Sequence, residues 1–174
     1  MALLVFVLLI GILCGVLIGA YCQLYYLVKN IMLSWYALTA HALAKRVALS
    51  LLASDEVRQP LSREIEFLET YRKMSWRKFL KYSYDILFAF SEMEQALSAK
   101  LEIVISSLDN MHNSNNDIVG VIEDFWARDN LFAFETAAYE QAVDKYLAKR
   151  TQITLWPVAF LFRFFDLPVI RFQR

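Results

Sequence analysis

The feature that most constrains this chain is its first 28 residues, which contain no Asp, Glu, Lys, Arg or His. From Ala2 to Val28 the sequence reads ALLVFVLLIGILCGVLIGAYCQLYYLV. A helix needs about 20 apolar residues to cross the hydrocarbon core of a bilayer, and this run exceeds that. A cleaved signal peptide would carry a basic segment ahead of a shorter apolar stretch, with small residues at the cleavage site. Neither is present. A lipoprotein site is also a poor match, because Leu13 precedes Cys14 and Tyr21 precedes Cys22. The expectation is an uncleaved transmembrane anchor over 1–28, with Tyr21, Tyr25, Tyr26 and Lys29 at the interface.

All 36 charged residues, 18 basic and 18 acidic, fall in the other 146 positions. That body is expected to form an all-α antiparallel bundle over 29–156, followed by a tail over 157–174. The reasons are few glycines and prolines (4 and 3) and apolar residues, among them Leu33, Leu38, Leu43, Val47 and Leu51, recurring at three-to-five spacing as one helix face requires, with no period-two alternation. The anchor is expected to continue into an up-and-down bundle of three to four long helices. Ser54 to Pro60 reads as a polar break with Pro60 in a turn, followed by a loose cap at Ser62 and Glu66. A second helical stretch covers about 62–111. Run straight, it would be ~75 Å long and would carry Glu92 and Glu94 back to the bilayer, so either this stretch bends or breaks, with Met74-Ser75 the expected place, or the first helix is not collinear with its anchor. His112 to Asp117 reads as a loop, with Asp117 capping a third helix to about Leu155.

Net charge is zero, which gives no basic surplus for general nucleic-acid binding. Cys14 and Cys22 lie in the apolar segment and provide no disulfide framework. Asp109 and His112 have the spacing of one carboxylate–histidine metal pair, but a bundle di-metal site needs two such pairs and two more carboxylates. His41 has no acidic residue three or four positions away. No nucleophile–base pattern or phosphate-binding glycine loop occurs. The expectation is therefore no catalytic residue, no metal, no cofactor and no small-molecule substrate.

Three features suggest contacts instead. Gly11, Gly15 and Gly19 form GxxxGxxxG, a spacing that lines one face of a membrane helix and permits close helix approach. Arg72, Lys73, Arg77, Lys78 and Lys81 interleave with Tyr71, Trp76, Phe79 and Tyr82 and no acid. That segment is either a surface for anionic headgroups or an acidic partner, or a solvated face balanced by Glu64, Glu66 and Glu69. From Lys145 to Arg174 there are six cations and one acid, with Phe160, Phe162, Phe164, Phe165 and Phe172 among the last three. Those rings either close the bundle end or meet a membrane or partner. Lys29, Lys45 and Arg46 follow the anchor and nothing basic precedes it, so the positive-inside rule puts the body in the cytoplasm.

From the third helix onward the chain resembles the LemA family of bacterial membrane-anchored proteins. Tyr139, Val143 and Tyr146 match the tyrosine–valine–tyrosine spacing of that family's Y-N-x-x-V-x-x-Y-N pattern, and Trp156-Pro157 with the Phe-rich ending resembles its C-terminus. Trp35 and Lys45-Arg46 are similar to its first bundle helix. Glu140 and Leu147 stand where the pattern has asparagines, Pro157 comes about three residues late, and the usual proline of the first bundle helix is missing. The resemblance implies a cytoplasmic helical bundle on a bacterial inner or other internal membrane, and no established enzymatic activity. Some members are encoded beside membrane metalloproteases, and one branch belongs to magnetosome membranes. The expected function is a single-pass scaffold or adaptor that binds other membrane proteins or itself. The alternative is a peripheral lipid-binding or membrane-shaping module using 71–82 and the tail.

Overall fold

The computed structural model describes residues 1–109 and 116–169. Among these residues there are five helices and no strand: α1 (Ala2–Leu52), α2 (Asp55–Arg72), α3 (Trp76–Asp109), α4 (Asn116–Arg150) and α5 (Trp156–Leu161). The all-α expectation holds, and the apolar N-terminal segment continues without interruption into the bundle. With 51 residues, α1 is ~77 Å long at 1.5 Å per residue. Its first part is long and apolar enough to cross a membrane. Almost every side chain there is exposed from Leu3 to Ile18, and the packed core begins at Ala20 and Leu24.

From that point α1 is the central strut, in contact with α2, α3, α4 and α5. α2 runs antiparallel to it, because Arg46 meets Glu64 while Trp35 Nε1 donates to the Tyr71 carbonyl at 3.3 Å. α3 runs parallel to α1: Trp76 packs on Tyr25, Phe90 on Trp35, and Glu94 pairs with Lys45. α4 returns, with Asp129 on Lys45 and Tyr139 against Trp35. The result is an up-down-up-down bundle. Its base lies where the apolar span emerges, and its far end is a second cluster around Leu49, Ala53, Leu61, Leu101 and Phe125. Trp35 is fully buried in the main core, with Phe79 and Phe90 both at 5.2 Å.

The expected break at Met74-Ser75 is present, since α2 ends at Arg72 and α3 starts at Trp76. It turns the chain at the base and sends Glu94 into the bundle instead of toward a bilayer. A second irregularity, at Tyr82 (φ −111°, ψ 15°), kinks α3. Phe79 and Phe90 are 11 residues apart, ~16 Å on a straight helix, and the kink lets both rings reach one indole.

Other boundaries need correction. The first turn of the chain is at Ala53-Ser54, and Pro60 lies inside α2. Its missing N–H leaves the Glu56 carbonyl without an i+4 donor, but both residues are exposed and water can satisfy the oxygen. Ser62 is not a cap: its hydroxyl donates to the Arg58 carbonyl at 2.9 Å in mid-helix. Arg58 itself closes the end of α1, donating to the carbonyls of Ala53 at 2.8 Å and Ser50 at 3.3 Å, as basic side chains do at helix C-termini. α4 begins at Asn116, one residue before the expected cap at Asp117, and ends at Arg150 rather than near Leu155. Pro157 opens α5, where a missing N–H does no harm. Of the expected loop from His112 to Asp117, residues 112–115 lie outside the described residues, as does Phe172.

Candidate functional site

A buried ionic centre joins the four long helices. Lys45 and Arg46 of α1 are 2% and 0% exposed. Lys45 Nζ lies 2.8 Å from Glu94 of α3 and 2.9 Å from Asp129 of α4, and 3.9 Å over the Phe132 ring. Arg46 pairs with Glu64 of α2 at 2.7 Å and with Glu94 at 2.5 Å. Lys100 of α3 closes on the other Glu64 oxygen. Three cations and three carboxylates balance, and the cluster ties the register of the four helices. Breaking such a set is costly, whereas replacing it by apolar residues often is not. In the sequence, Lys45 and Arg46 read as orientation charges and Glu64 as a partner for the 72–81 cations. Their mutual contact is invisible in the sequence because the pairs are 18 to 84 positions apart.

The four positions that carry the family resemblance sit in the bundle or at its base. Tyr139, Val143 and Tyr146 are buried. The Tyr146 hydroxyl donates to the Phe165 carbonyl at 2.7 Å and so ties the tail to α4. Burial pushes both phenols above their ordinary range, and Arg150 moderates the effect at Tyr146. The Tyr139 hydroxyl has no hydrogen-bond partner among the described residues.

The glycines are open. A Cβ built on Gly11, Gly15 or Gly19 meets nothing within 4 Å. At 100° per residue, Gly11, Gly15, Gly19, Cys22, Tyr26, Leu33, Tyr36, Val47 and Leu51 fall within about 100° of arc. All of these side chains beyond the glycines are exposed, with Leu33 at 59% and Leu51 at 69%. The core-facing residues Ala20, Leu24, Ile31, Trp35, Leu38, Ala42 and Leu49 centre on the opposite side of the helix. The glycine face therefore continues, interrupted by Lys29 and by the Arg72 guanidinium over the Tyr36 ring, as a largely apolar exposed stripe ~60 Å long at 1.5 Å per residue. Near its far end Ala40, Ala44, Val47 and Leu51 form a groove with Gly120 and Val121 of α4.

The base is the second surface. Lys73, Arg77, Lys78 and Lys81 are exposed there, and Arg72 is half-buried over the Tyr36 ring at 4.0 Å. Among the described residues none of these five cations pairs with a carboxylate, contrary to a face balanced by Glu64, Glu66 and Glu69; Glu64 is committed to Arg46 and Lys100. Trp76 is half-buried, packed on Tyr25 and on Phe164. In the tail, Phe164 closes the core while Phe160, Phe162 and Phe165 remain exposed. Both readings of those phenylalanines thus apply, to different rings.

The described His, Cys, Asp and Glu residues form no metal-binding group. Comparison with family models, curated proteins and solved structures finds no match.

Proposed function

We propose that this protein is a non-enzymatic, single-pass membrane scaffold or adaptor, held by α1 and binding other membrane proteins or a second copy of itself. The observation that carries the reading is the exposed face of α1. It is largely apolar from Gly11 to Leu51, broken by Lys29 and by Arg72 over Tyr36, lies opposite the bundle core, and runs along one unbroken helix. Helices associate in lipid through close packing of small residues, and a rigid extension keeps the same face presented beyond the lipid. Lys29, Lys45 and Arg46 support a cytoplasmic bundle, and the resemblance to the LemA family supports a bacterial inner or other internal membrane. Crosslinking in native membranes followed by mass spectrometry tests the reading. Crosslinks from the face at Leu33 or Val47 to another membrane protein or to a second copy are expected; crosslinks confined to within one copy would refute it.

A second reading, a lipid-binding or membrane-shaping module, is supported by the exposed, carboxylate-free cations Lys73, Arg77, Lys78 and Lys81 at the base.

A further inference from the structure

The base carries a short element whose exposed side is apolar. In α5, Val158 and Ala159 are buried against the bundle, while Trp156, Phe160 and Leu161 are 59%, 79% and 66% exposed. Trp156 and Phe160 stack on each other at 6.0 Å. The height of this element relative to the apolar span is fixed by ring contacts. Phe162 and Phe164, just after α5, pack on Tyr21 at 4.9 and 5.6 Å. From Leu3 to Tyr21 is ~27 Å of helix, close to the ~30 Å thickness of a hydrocarbon core. If Leu3 marks one edge of the core, Tyr21 marks the other, and α5 lies at the same level.

The end of α5 is unusual. Arg163 has φ 55°, the left-handed region that favours glycine. Its N–H bonds to the Phe160 carbonyl at 3.3 Å, and the Phe164 N–H to the Ala159 carbonyl at 2.8 Å. These two bonds are a Schellman ending, in which glycine is the usual residue at the position Arg163 holds. The turn folds Phe164 back into the core while Arg163 itself stays exposed. An arginine in a glycine position is explained if its charge is used. The nearest acid in sequence, Asp166, is paired with Arg150 at 3.1 Å.

We infer that α5 is a second membrane contact. Trp156, Phe160 and Leu161 enter the boundary between headgroups and acyl chains, and Arg163 binds the phosphate of anionic phospholipid. An apolar helix face next to a cation, here Arg163, suits the membrane interface, and guanidinium groups match phosphate geometry. The bundle is then seated on the bilayer at two points, the anchor and α5, which fixes its tilt and rotation. This inference deepens the lipid-binding reading and rests on α1 being a membrane anchor.

The test uses the full chain in lipid nanodiscs, with Cys14→Ala and Cys22→Ala as background. Single nitroxide labels are placed at Ile10→Cys, Phe160→Cys and Glu102→Cys, the last at the far end. Accessibility to oxygen and to a water-soluble nickel complex gives the depth of each. The label at 160 is expected ~5–10 Å below the phosphates, and that at 102 in water. Water exposure at 160 while the label at 10 stays in lipid overturns the inference alone. A label at 160 shielded from both reagents also overturns it, because protein then covers the face. A label at 10 outside lipid overturns the anchor reading as well. Arg163→Gly relieves the backbone and is expected to keep or raise the thermal midpoint. In discs containing phosphatidylglycerol it should shift the seated-to-free ratio of the 160 label roughly five-fold toward free, with little change in neutral discs. An unchanged ratio in the anionic discs overturns the role of Arg163.

Discussion

Glu94→Gln removes one negative charge from the ionic centre while preserving shape. Glu94 is 10% exposed and bridges Lys45 and Arg46, themselves 2% and 0% exposed. After the substitution, Lys45, Arg46 and Lys100 face only Glu64 and Asp129, and Asp129 is 43% exposed, so water screens its compensation. Unpairing a buried charge costs about 3–5 kcal/mol, a large part of a total stability of about 5–15 kcal/mol. For a chain of this size each kcal/mol moves the thermal midpoint by about 2–4 °C, so a fall of roughly 6–20 °C is expected. The assay is thermal unfolding of the full chain in detergent micelles, followed by circular dichroism at the helix band. Glu102→Gln, at an exposed position on α3, is the control. Replacing Lys45, Arg46, Glu64 and Glu94 together by methionine should lose far less stability than Glu94→Gln. The remaining Lys100 and Asp129 lie at the edge of the cluster, at 18% and 43% exposure. A shift for Glu94→Gln no larger than that of Glu102→Gln would refute the reasoning, because the carboxylate would then be hydrated rather than holding the two cations.

Other outcomes follow from the same packing. Tyr146→Phe deletes the hydroxyl that holds the Phe165 carbonyl and should cost about 1 kcal/mol, read as a lower midpoint. Tyr139→Phe deletes a hydroxyl without a partner and should be neutral or stabilising. Both phenols ionise at higher pH in the folded than in the unfolded chain. Above pH ~10 the unfolded chain therefore gains by releasing these protons, and stability should fall about 1.4 kcal/mol per pH unit for each tyrosine. Tyr139→Phe should halve the part of that slope due to the pair, and a slope unchanged by the substitution would contradict the assignment. A C-terminal alkaline phosphatase fusion should be inactive in a bacterial host; activity would place the bundle outside the cytoplasm.

The long-range architecture was legible in the sequence because charge and periodicity are coarse and robust. The uncharged run to Val28 and the scarcity of glycine and proline specify one long helix leading into more helices. Length alone requires either a bend or break in the 62–111 stretch or a first helix not collinear with its anchor, and the structure has the break, between Arg72 and Trp76. Boundaries that depend on single residues were less legible. Pro60 reads as a turn, yet an exposed carbonyl at Glu56 makes it tolerable inside α2. The real turn at Ala53-Ser54 has no glycine or proline to mark it; Arg58 closes it instead. The ionic centre was not legible, since each of its residues looks like an ordinary surface charge until four helices bring them together. The exposed stripe of α1 was half legible. The glycine spacing announces its apolar N-terminal part, but the three-to-five spacing groups Leu33, Val47 and Leu51 with Leu38 and Leu43 on one face, and the packing corrects this: Leu38 is buried while Leu33, Val47 and Leu51 are exposed on the opposite side.

The central claim is that α1 presents an association face, and Gly15→Ile tests it most directly. Gly15 is the middle glycine of the three, and nothing lies within 4 Å of a Cβ placed there, so the larger side chain leaves the monomer unstrained. The segment becomes more apolar, so insertion is preserved, while the bulk blocks close helix approach. In a membrane two-hybrid or native-membrane crosslinking assay, the account predicts loss of the dimer or partner signal with membrane fractionation unchanged. An association signal that survives Gly15→Ile at full strength would contradict it.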